Sequence, residues 1–411
     1  MSPHSCGARH TPHPTGGLHG AHLDAAEVDL VTSGKGVGVA VVDSGIVDLP
    51  DFDTRMHAVY DFTLGQSGNK SESLDPYGHG THIAGLIGSV SKQGNEKFYQ
   101  GLAPGADLFG LRVLDGTGSG VTSDVVRALQ FAVESRTRLG IDVINLSLGH
   151  PIFEPAATDP LVQAVEAAVR AGIVVVVSAG NYGVNPETKV AGYAGVTSPG
   201  NAPSAITVGA FDSFDTAART DDRMASYSSR GPTWYDGYVK PDLVAPGHAM
   251  ISNQGSSSAL MTAYPTYVTS INREKFLKLS GTSMAAAVTT GAAALVIEAS
   301  RLANPRGPAI TPNAVKAILQ YTATVRRDDT GAPYDVLTQG AGGLNPAGAV
   351  DLASRINTHA PLGSPWLTSS LVTYTSFGAV AEPWAQNIVR GDNIVWGNNV
   401  VWMDPPDSGG F

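Results

Sequence analysis

The sequence has 411 residues, of which 36 are acidic and 26 are basic, so its formal net charge is −10. A chain of this length can bury a large core. Its 48 glycines and 15% charged residues are typical of a compact fold rather than a coiled coil. The sequence contains no clustered stripe of Lys and Arg, so nucleic acid is not an expected partner. The single cysteine, Cys6, excludes an intrachain disulfide and a cysteine-based zinc cluster.

The first segment, residues 1–22, carries histidines among Gly, Pro and Ser without periodicity, which predicts a mobile arm; weak metal binding by these histidines is the alternative. We expect no signal peptide in this segment. No apolar run approaches the roughly 20 residues of a membrane span, so we expect no transmembrane segment.

From residue 34 onward, apolar runs alternate with helix-type stretches. This pattern predicts an α/β fold of three layers, in which helices flank a mainly parallel central sheet. The predicted strands are 37–42, 108–113, 143–146, 173–177 and 206–208, and the predicted helices are 80–89, 123–139, 160–171, 283–302 and 311–321.

Three polar residues stand at predicted element ends. Asp43 follows a buried strand, where open α/β sheets place their sites. His79 lies between two glycines at a helix start, and Ser283 begins an Ala-rich helix. Negative charge developing beside a serine at a helix N-terminus is stabilised, although the segment 281–283 taken alone could be a capping turn.

Together these motifs, in the order Asp, His, Ser, resemble the subtilisin-like serine proteases, or subtilases, over roughly residues 34–352. The resemblance implies that Asp43 orients the histidine, that His79 is the general base and then acid, and that Ser283 is the nucleophile. Asn181 follows another buried run and would donate to the oxyanion, together with the backbone N–H of Ser283. An isolated Asn after a strand is otherwise a turn residue.

The resemblance also implies an extended polypeptide substrate held by main-chain hydrogen bonds. The substrate-binding positions would be Gly118, Ser119 and Gly120 on one edge, Ser147, Leu148 and Gly149 on the other, and Ser178, Ala179 and Gly180 as the wall of the primary pocket. The same glycines could mark turns only. If Thr197 faces into this pocket, aliphatic side chains would fit better than aromatic ones.

Two places in the sequence carry residue types that can bind a metal. His82 follows His79 by three residues, but no third ligand accompanies the pair, so we expect a packed, hydrogen-bonded histidine. No cofactor is required for the expected chemistry. Structural calcium, common in subtilases, is left without assigned ligands, because loop 91–97 does not match the family's strong site and Asp48, Asp51 and Asp53 are interpreted as solvated.

The C-terminal part differs in character from the rest. We predict an arm over 1–22, a catalytic domain over 23–358 and an extension over 359–411. Six-residue repeats of the type Asn-Ile-Val-Trp begin at Asn387, Asn393 and Asn399. Strands from these repeats are expected to pack on the catalytic domain, and a binding or attachment segment is the alternative.

The predicted function is a secreted, monomeric serine endopeptidase that acts through an acyl-enzyme, present here without its signal and pro-segment; a cognate pro-segment is an expected partner. An α/β-hydrolase is disfavoured by the triad order, and a non-catalytic binding protein by the complete triad. A peptide ligase or cyclase using the same acyl-enzyme stays open, because Ala287 stands where subtilases usually have proline.

Overall fold

The computed structural model describes residues 32–387 except 67, 72, 94–95, 186, 217, 256, 272–273, 362–363 and 378–379. The predicted N-terminal arm, Cys6 and the repeats from residue 388 onward lie outside the described residues.

A large mixed sheet organises the described chain. The strands are β1 (Gly38–Asp43), β2 (Met56–Asp61), β3 (Asn69–Ser71), β4 (Val90–Gln93), β5 (Glu96–Gln100), β6 (Asp107–Arg112), β7 (Ile141–Leu146), β8 (Val174–Ser178), β9 (Ile206–Asp212), β10 (Arg223–Met224), β11 (Leu243–Pro246), β12 (Met250–Gln254), β13 (Val268–Ile271), β14 (Glu274–Leu279), β15 (Tyr374–Phe377) and β16 (Val380–Pro383).

The central sheet has nine strands in the described part of the chain, in the order β10-β9-β8-β7-β1-β6-β2-β3, and β11 also pairs with β9. Strands β2, β6, β1, β7, β8, β9 and β11 run parallel, whereas β3 and β10 pair antiparallel at the ends. Three smaller antiparallel units, β12-β14-β13, β4-β5 and β15-β16, lie outside it.

Helices cover this sheet. They are α1 (His79–Gly88), α2 (Thr122–Leu139), α3 (Pro160–Arg170), α4 (Ala259–Ala263), α5 (Thr282–Ala303), α6 (Pro312–Tyr321), α7 (Val336–Gln339) and α8 (Pro346–Ser354). Short 3-10 turns lie at Pro50–Arg55, Thr63–Gly65 and Pro265–Tyr267. Thr311 caps α6 through a hydrogen bond from the N–H of Ala314, as expected of Thr before a proline-led helix.

Both faces of the sheet are buried. Along β1, Val39 and Val41 join the core that contains α1 and α5, whereas Ala40 and Val42 join the core that contains α2 and α3. Side chains of a strand point alternately to opposite faces, so a continuous apolar run is needed when helices cover both. The predicted three-layer α/β fold is therefore confirmed.

Most predicted element ends lie within one residue of the observed ones. The exceptions are β7, which begins at Ile141 rather than 143, and β9, which continues to Asp212 rather than 208. The sequence patterns gave no bounds for the other observed strands, which are β2, β3, β4, β5, β10, β11, β12, β13, β14, β15 and β16.

By length and composition alone, the helix α5 could cross a membrane, which differs from the expectation of no apolar run of that length. In the structure, 94% of its apolar window is buried. It packs against β7, β8, β9, α1 and α8, so it is the central core helix of the domain.

Part of the predicted C-terminal extension packs on the catalytic domain. Trp384 is 4% exposed, and its indole N–H donates to Oγ1 of Thr375 at 2.8 Å, an oxygen that also accepts from the side-chain amide of Asn345 in the catalytic domain at 2.8 Å. The backbone of Ala385 continues this contact by donating to the carbonyl oxygen of Ala323 at 2.6 Å. The prediction for the six-residue repeats remains a prediction, because they lie beyond the described residues.

Candidate active site

Asp43 and His79 form a close pair at the carboxyl end of β1. Asp43 is the last residue of β1 and is fully buried, and His79 is the first residue of α1. Nδ1 of His79 lies 2.9 Å from both carboxylate oxygens of Asp43. The carboxylate thereby fixes the ring, so that Nε2 is the nitrogen available to a reacting group.

The pair depends on a close approach of α1 to β1. A Cβ at position 80 would lie 2.1 Å from the carbonyl oxygen of Gly45 and 3.2 Å from Cβ of Asp43. Only glycine fits there, which gives a physical reason for the glycine that follows His79.

A second carboxylate, Asp75, lies behind the pair. It is 2% exposed and accepts hydrogen bonds from the N–H groups of Gly78 and Thr81, each at 2.7 Å, and from the hydroxyl of Thr81 at 2.7 Å. The hydroxyl of Ser44 lies 2.8 Å from Asp75 and 3.2 Å from Asp43. Asp75 therefore ties the first turn of α1 to the strand end that carries Asp43.

These carboxylates set the protonation of His79. Burial opposes the charged imidazolium, but the charge and hydrogen bond of Asp43 and the charge of Asp75 outweigh it and raise the pKa of His79 above its ordinary value. Burial raises the pKa of Asp75 as well, although its hydrogen bonds act in the opposite direction.

Ser283 lies in the first turn of α5, one residue after the observed helix start at Thr282. Its hydroxyl donates to the carbonyl oxygen of Ser147 at 3.2 Å, and the hydroxyl of Ser147 donates to the carbonyl oxygen of Ser283 at 2.9 Å. Among the hydrogen bonds of the described residues, none joins Ser283 to His79, yet both side chains line the same cavity.

The Ser147–Ser283 pair rests on a buried polar chain. The side-chain amide of Asn145 donates to the hydroxyl of Ser147 at 2.9 Å, and the hydroxyl of Thr290 donates to Oδ1 of Asn145 at 2.9 Å. Asn145 and Thr290 are fully buried. The edge residue Ser147 is therefore positioned by hydrogen bonds that involve residues of both β7 and α5.

Asn181 is positioned by the residue before the serine. Its Oδ1 accepts from the backbone N–H of Thr282 at 3.0 Å and from the hydroxyl of Thr282 at 3.2 Å. With Oδ1 occupied, the NH₂ group is the end that can donate to another acceptor. It lies beside Gly281, where a Cβ would be 3.6 Å from Nδ2 and 3.8 Å from the backbone N of Ser283.

The two predicted edges face each other. Gly118, Ser119 and Gly120 line one cavity of about 440 Å³ together with Ser147, Leu148, Gly149 and His79. The loops that carry these edges follow β6 and β7.

The residues predicted to form the wall of the primary pocket do not line the same cavity as the two edges. Ser178, Ala179 and Gly180 line neither this cavity nor the one that contains Ser283. They pack instead near Thr197, whose N–H donates to the carbonyl oxygen of Ala179 at 3.1 Å. A Cβ at Gly149 would lie 2.9 Å from Oγ1 of Thr197, so Thr197 lies between the wall and one edge.

His82 is a packed histidine, as predicted. It is fully buried, and Nε2 contacts the carbonyl oxygens of Met250 at 3.2 Å and Leu277 at 3.0 Å. Burial and the nearby charge of His79 lower the pKa of His82 to about 3, so the ring is neutral at physiological pH and donates to one of these carbonyls.

The interpretation of Asp51 as solvated is wrong. Asp51 is 5% exposed, whereas Asp48 and Asp53 are exposed. Oδ2 of Asp51 accepts from the hydroxyl of Ser91 at 2.5 Å and from the amide of Asn253, and burial raises its pKa. Protein donors occupy this carboxylate, and no group of three His, Cys, Asp or Glu side chains in the described chain is arranged to hold a metal, so we assign no calcium ligands.

Sequence reasoning missed Asp75 and the hydroxyl of Ser147 as parts of the site. Asp75 carried one usable signal, since an acidic residue just before a helix start complements the helix dipole. The two hydrogen bonds between Ser147 and Ser283 join residues 136 positions apart in sequence, and no local pattern predicts them.

Comparison with known families and proteins identifies the chain. The family model of the subtilases matches residues 34–342. The chain belongs to the subtilase family. It is 37% identical over 328 residues to serine protease AprX of Bacillus subtilis (strain 168), which covers 77% of this chain and 67% of AprX. Subtilisin DY of Bacillus licheniformis is 32% identical over 291 residues, covering 71% of this chain and 85% of that protein.

This subtilase is therefore a subtilisin-like serine protease with the α/β fold described above. The matched region contains Asp43, His79, Asn181 and Ser283. It ends before α8 and before the β15-β16 hairpin, which belong to the part of the chain that the family model does not cover.

Proposed function

We propose that this subtilase cleaves peptide bonds through an acyl-enzyme formed on Ser283. The hydroxyl oxygen attacks the scissile carbonyl carbon, and Nε2 of His79 takes the hydroxyl proton and passes it to the leaving amine. Water then attacks the ester, with His79 as base again, and restores the free serine. Asp43 holds the ring and stabilises its charged form.

The oxyanion is held by the amide NH₂ of Asn181 and the backbone N–H of Ser283. Because Ser283 lies in the first turn of α5, its N–H has no carbonyl four residues earlier in the helix, and the helix dipole favours negative charge there. Thr282 anchors the other end of the Asn181 amide, which keeps its NH₂ pointed away from that anchor.

The observation that carries this proposal is the contact of His79 Nδ1 with both oxygens of buried Asp43. The imidazole ring of His79 lines the same cavity as Ser283 and Asn181. Substrates are polypeptides whose acyl side lies along Gly118–Gly120 and Ser147–Gly149. We place the protein outside the cell, as a monomer assisted in folding by a cognate pro-segment. The chemistry needs no cofactor.

The deciding experiment compares wild type with Ser283→Ala and with Ser354→Ala, an exposed serine in α8. A serine-directed fluorophosphonate should label wild type and Ser354→Ala, and both should digest a peptide library. Ser283→Ala should do neither while keeping its circular dichroism spectrum. Peptide digestion by Ser283→Ala at the wild-type rate would refute the proposed nucleophile.

A further inference from the structure

The segment of residues 257–271, here named the cover segment, lies beside the catalytic histidine. It contains α4, the 3-10 turn Pro265–Tyr267 and β13. The N–H of Ala259 donates to the carbonyl oxygen of Pro76 at 2.9 Å, and the N–H of Leu260 donates to that of Tyr77 at 3.1 Å. The start of α4 is thus joined by its backbone to the turn that leads into His79.

Side chains reinforce this junction. The amide of Gln254 donates to the carbonyl oxygen of Gly78 at 2.6 Å, and the hydroxyl of Ser258 donates to Oε1 of Gln254 at 3.2 Å. Gly78 has a φ of +100°, and a Cβ there would lie 2.5 Å from Oγ of Ser258. The cover segment is therefore packed tightly on the turn and is fixed relative to the catalytic histidine.

A cavity of about 480 Å³ separates the cover segment from the catalytic groups. His79, Ser283 and Asn181 line one side of it, and Leu260, Tyr264 and Tyr267 of the cover segment line the other. It is distinct from the cavity between the two substrate edges, although both share Tyr77 and His79.

This inference rests on the proposed function. If the protein cleaves peptides at Ser283, the position of the cavity indicates which half of the substrate occupies it. An acyl half along the Gly118–Gly120 and Ser147–Gly149 edges occupies the first cavity as far as Ser283. The residues that follow the scissile bond must leave on the other side of the nucleophile. That side is the cavity under the cover segment, which is continuous with the catalytic groups.

The chemistry of the lining favours large apolar side chains. Tyr264 and Tyr267 are 47% and 53% exposed, and their ring centroids lie 6.3 Å apart. Leu260 and Met284 are nearly buried and complete an apolar surface. Exposed aromatic rings beside such a surface give a large contact area at a low cost in conformational entropy.

The charges at this cavity disfavour basic side chains. Lys278 and His248 line it, and no carboxylate does so among the described lining residues. A lysine or arginine of the substrate would therefore lose water without gaining a counter-charge. We propose that the cover segment forms a leaving-group subsite, in which Tyr264 and Tyr267 select aromatic or large aliphatic residues at the first two positions after the scissile bond.

The test uses quenched-fluorescent peptides with one fixed acyl half and with Phe, Leu, Ala or Lys after the scissile bond. Wild type should prefer Phe and Leu over Ala by about tenfold in kcat/KM, the size expected for an apolar pocket, and should cleave the Lys peptide least. The double variant Tyr264→Ala/Tyr267→Ala should reduce the Phe to Ala ratio to about twofold or less. Tyr374→Ala, an exposed tyrosine of β15, is the matched control and should keep the wild-type ratio.

A methyl ester of the same acyl half separates selection from positioning, because its leaving group is too small to reach the tyrosines. The double variant should hydrolyse this ester at the wild-type rate. An equal loss on ester and peptides would mean that the cover segment acts on the His79 turn and would overturn the subsite. An unchanged Phe to Ala ratio in the double variant would overturn it as well. If wild type hydrolyses neither ester nor peptides, the proposed function itself fails.

Discussion

Asp75 lies behind the Asp43–His79 pair, and we expect it to affect the proposed chemistry through His79. Its negative charge helps to raise the pKa of His79, and its hydrogen bonds hold the first turn of α1. Replacing it with Asn removes the charge that stabilises the imidazolium. The pKa of His79 should then fall, so the neutral, basic form persists to lower pH.

For Asp75→Asn we therefore expect the acid limb of the kcat/KM profile to move to lower pH. Its plateau should drop by roughly ten- to a hundredfold, because shifts of about 1 Å at a catalytic base have costs of that order. Asp48→Asn, an exposed carboxylate near Asp43, is the control and should keep both features. A profile of Asp75→Asn that superimposes on that of wild type would exclude the positioning role.

Asn181→Ala tests the oxyanion donor. Removal of one such donor should lower kcat by about two to three orders of magnitude. KM should change little, because the ground-state carbonyl gains less from the donor than the oxyanion does. Steady-state kinetics on a peptide substrate measure both constants. An unchanged kcat would mean that the oxyanion is held elsewhere.

Ala287 tests the ligase alternative. It is fully buried in α5, where its N–H is placed to bond the carbonyl oxygen of Ser283. Ala287→Pro would remove that hydrogen bond, but the hydroxyl of Ser147 also donates to the same oxygen. Wild type and variant should therefore give the same ratio of ligated to hydrolysed product from a peptide ester and an amine. A higher ratio in wild type would favour a peptide ligase.

The residue types of this site divide into two groups by the range of their contacts. Asp43, His79 and Ser283 could be proposed from the sequence because each stands in a short motif at an element end, and the structure places Asp43 against His79 and lines one cavity with His79 and Ser283. Asp75 and Ser147 act through contacts 31 and 136 residues apart in sequence. Such contacts are created by the tertiary fold, so a single sequence does not reveal them, and the place of Asp75 just before a helix start is its only local signal.

Among the elements, α6 and the segment just before β11 are joined by a buried charge cluster. The carboxylate of Asp242 lies 2.8 Å from Nζ of Lys240 and 2.9 Å from Nζ of Lys316, and all three side chains are nearly fully buried. Burial lowers the pKa of Lys240 to about 7, against the attraction of Asp242. Because this pKa is lower in the folded state, Lys240 should destabilise the fold below pH 7, and stability should rise as pH rises from about 7 toward 10.5.

Asp242→Asn would leave two buried lysines without their counter-charge. We expect a loss of about 3–5 kcal/mol in the free energy of unfolding at pH 6, measured by denaturant titration. The control is Asp142→Asn, which breaks the more exposed pair with Arg301 and should cost about 1 kcal/mol or less. Equal losses in the two variants would contradict a special role of the buried cluster.

Prediction of the elements succeeded where burial is two-sided. Strands β1 and β8 are continuous apolar runs because helices cover both faces. Strand β2 reads Met-His-Ala-Val-Tyr-Asp and is only partly buried, so it lacks such a run. The β12-β14-β13 unit likewise mixes polar and apolar residues, and its pairing is set by the tertiary fold rather than by local periodicity.

At the scale of the whole molecule, the C-terminal residues bear on stability. Trp384 is buried and lies near Tyr321 with ring centroids 6.3 Å apart. Truncation after Thr358 removes this packing, which for a buried tryptophan is worth about 3–5 kcal/mol. The melting temperature should fall by at least about 5 °C, with the peptide cleavage preference unchanged.

A second truncation, after Gln386, removes the six-residue repeats and the residues that follow them. If their apolar residues pack on the domain, this truncation should lower the melting temperature by part of the full effect. A melting temperature equal to that of the full chain, together with loss of attachment to cells or to a partner, would favour the binding interpretation of the repeats. An unchanged melting temperature after truncation at Thr358 would contradict the role of Trp384.

The proposed base, His79, and the proposed nucleophile, Ser283, each lie at the start of a helix, and these two helices, α1 and α5, pack against each other in the interior. Their separation is therefore set by apolar side chains that take no part in the reaction. A substitution deep in this contact could move the two groups apart by a fraction of an ångström while the fold remains intact. We expect such substitutions to lower turnover before any spectroscopic measure of folding changes. The activity of this protease should therefore report on the packing of its interior.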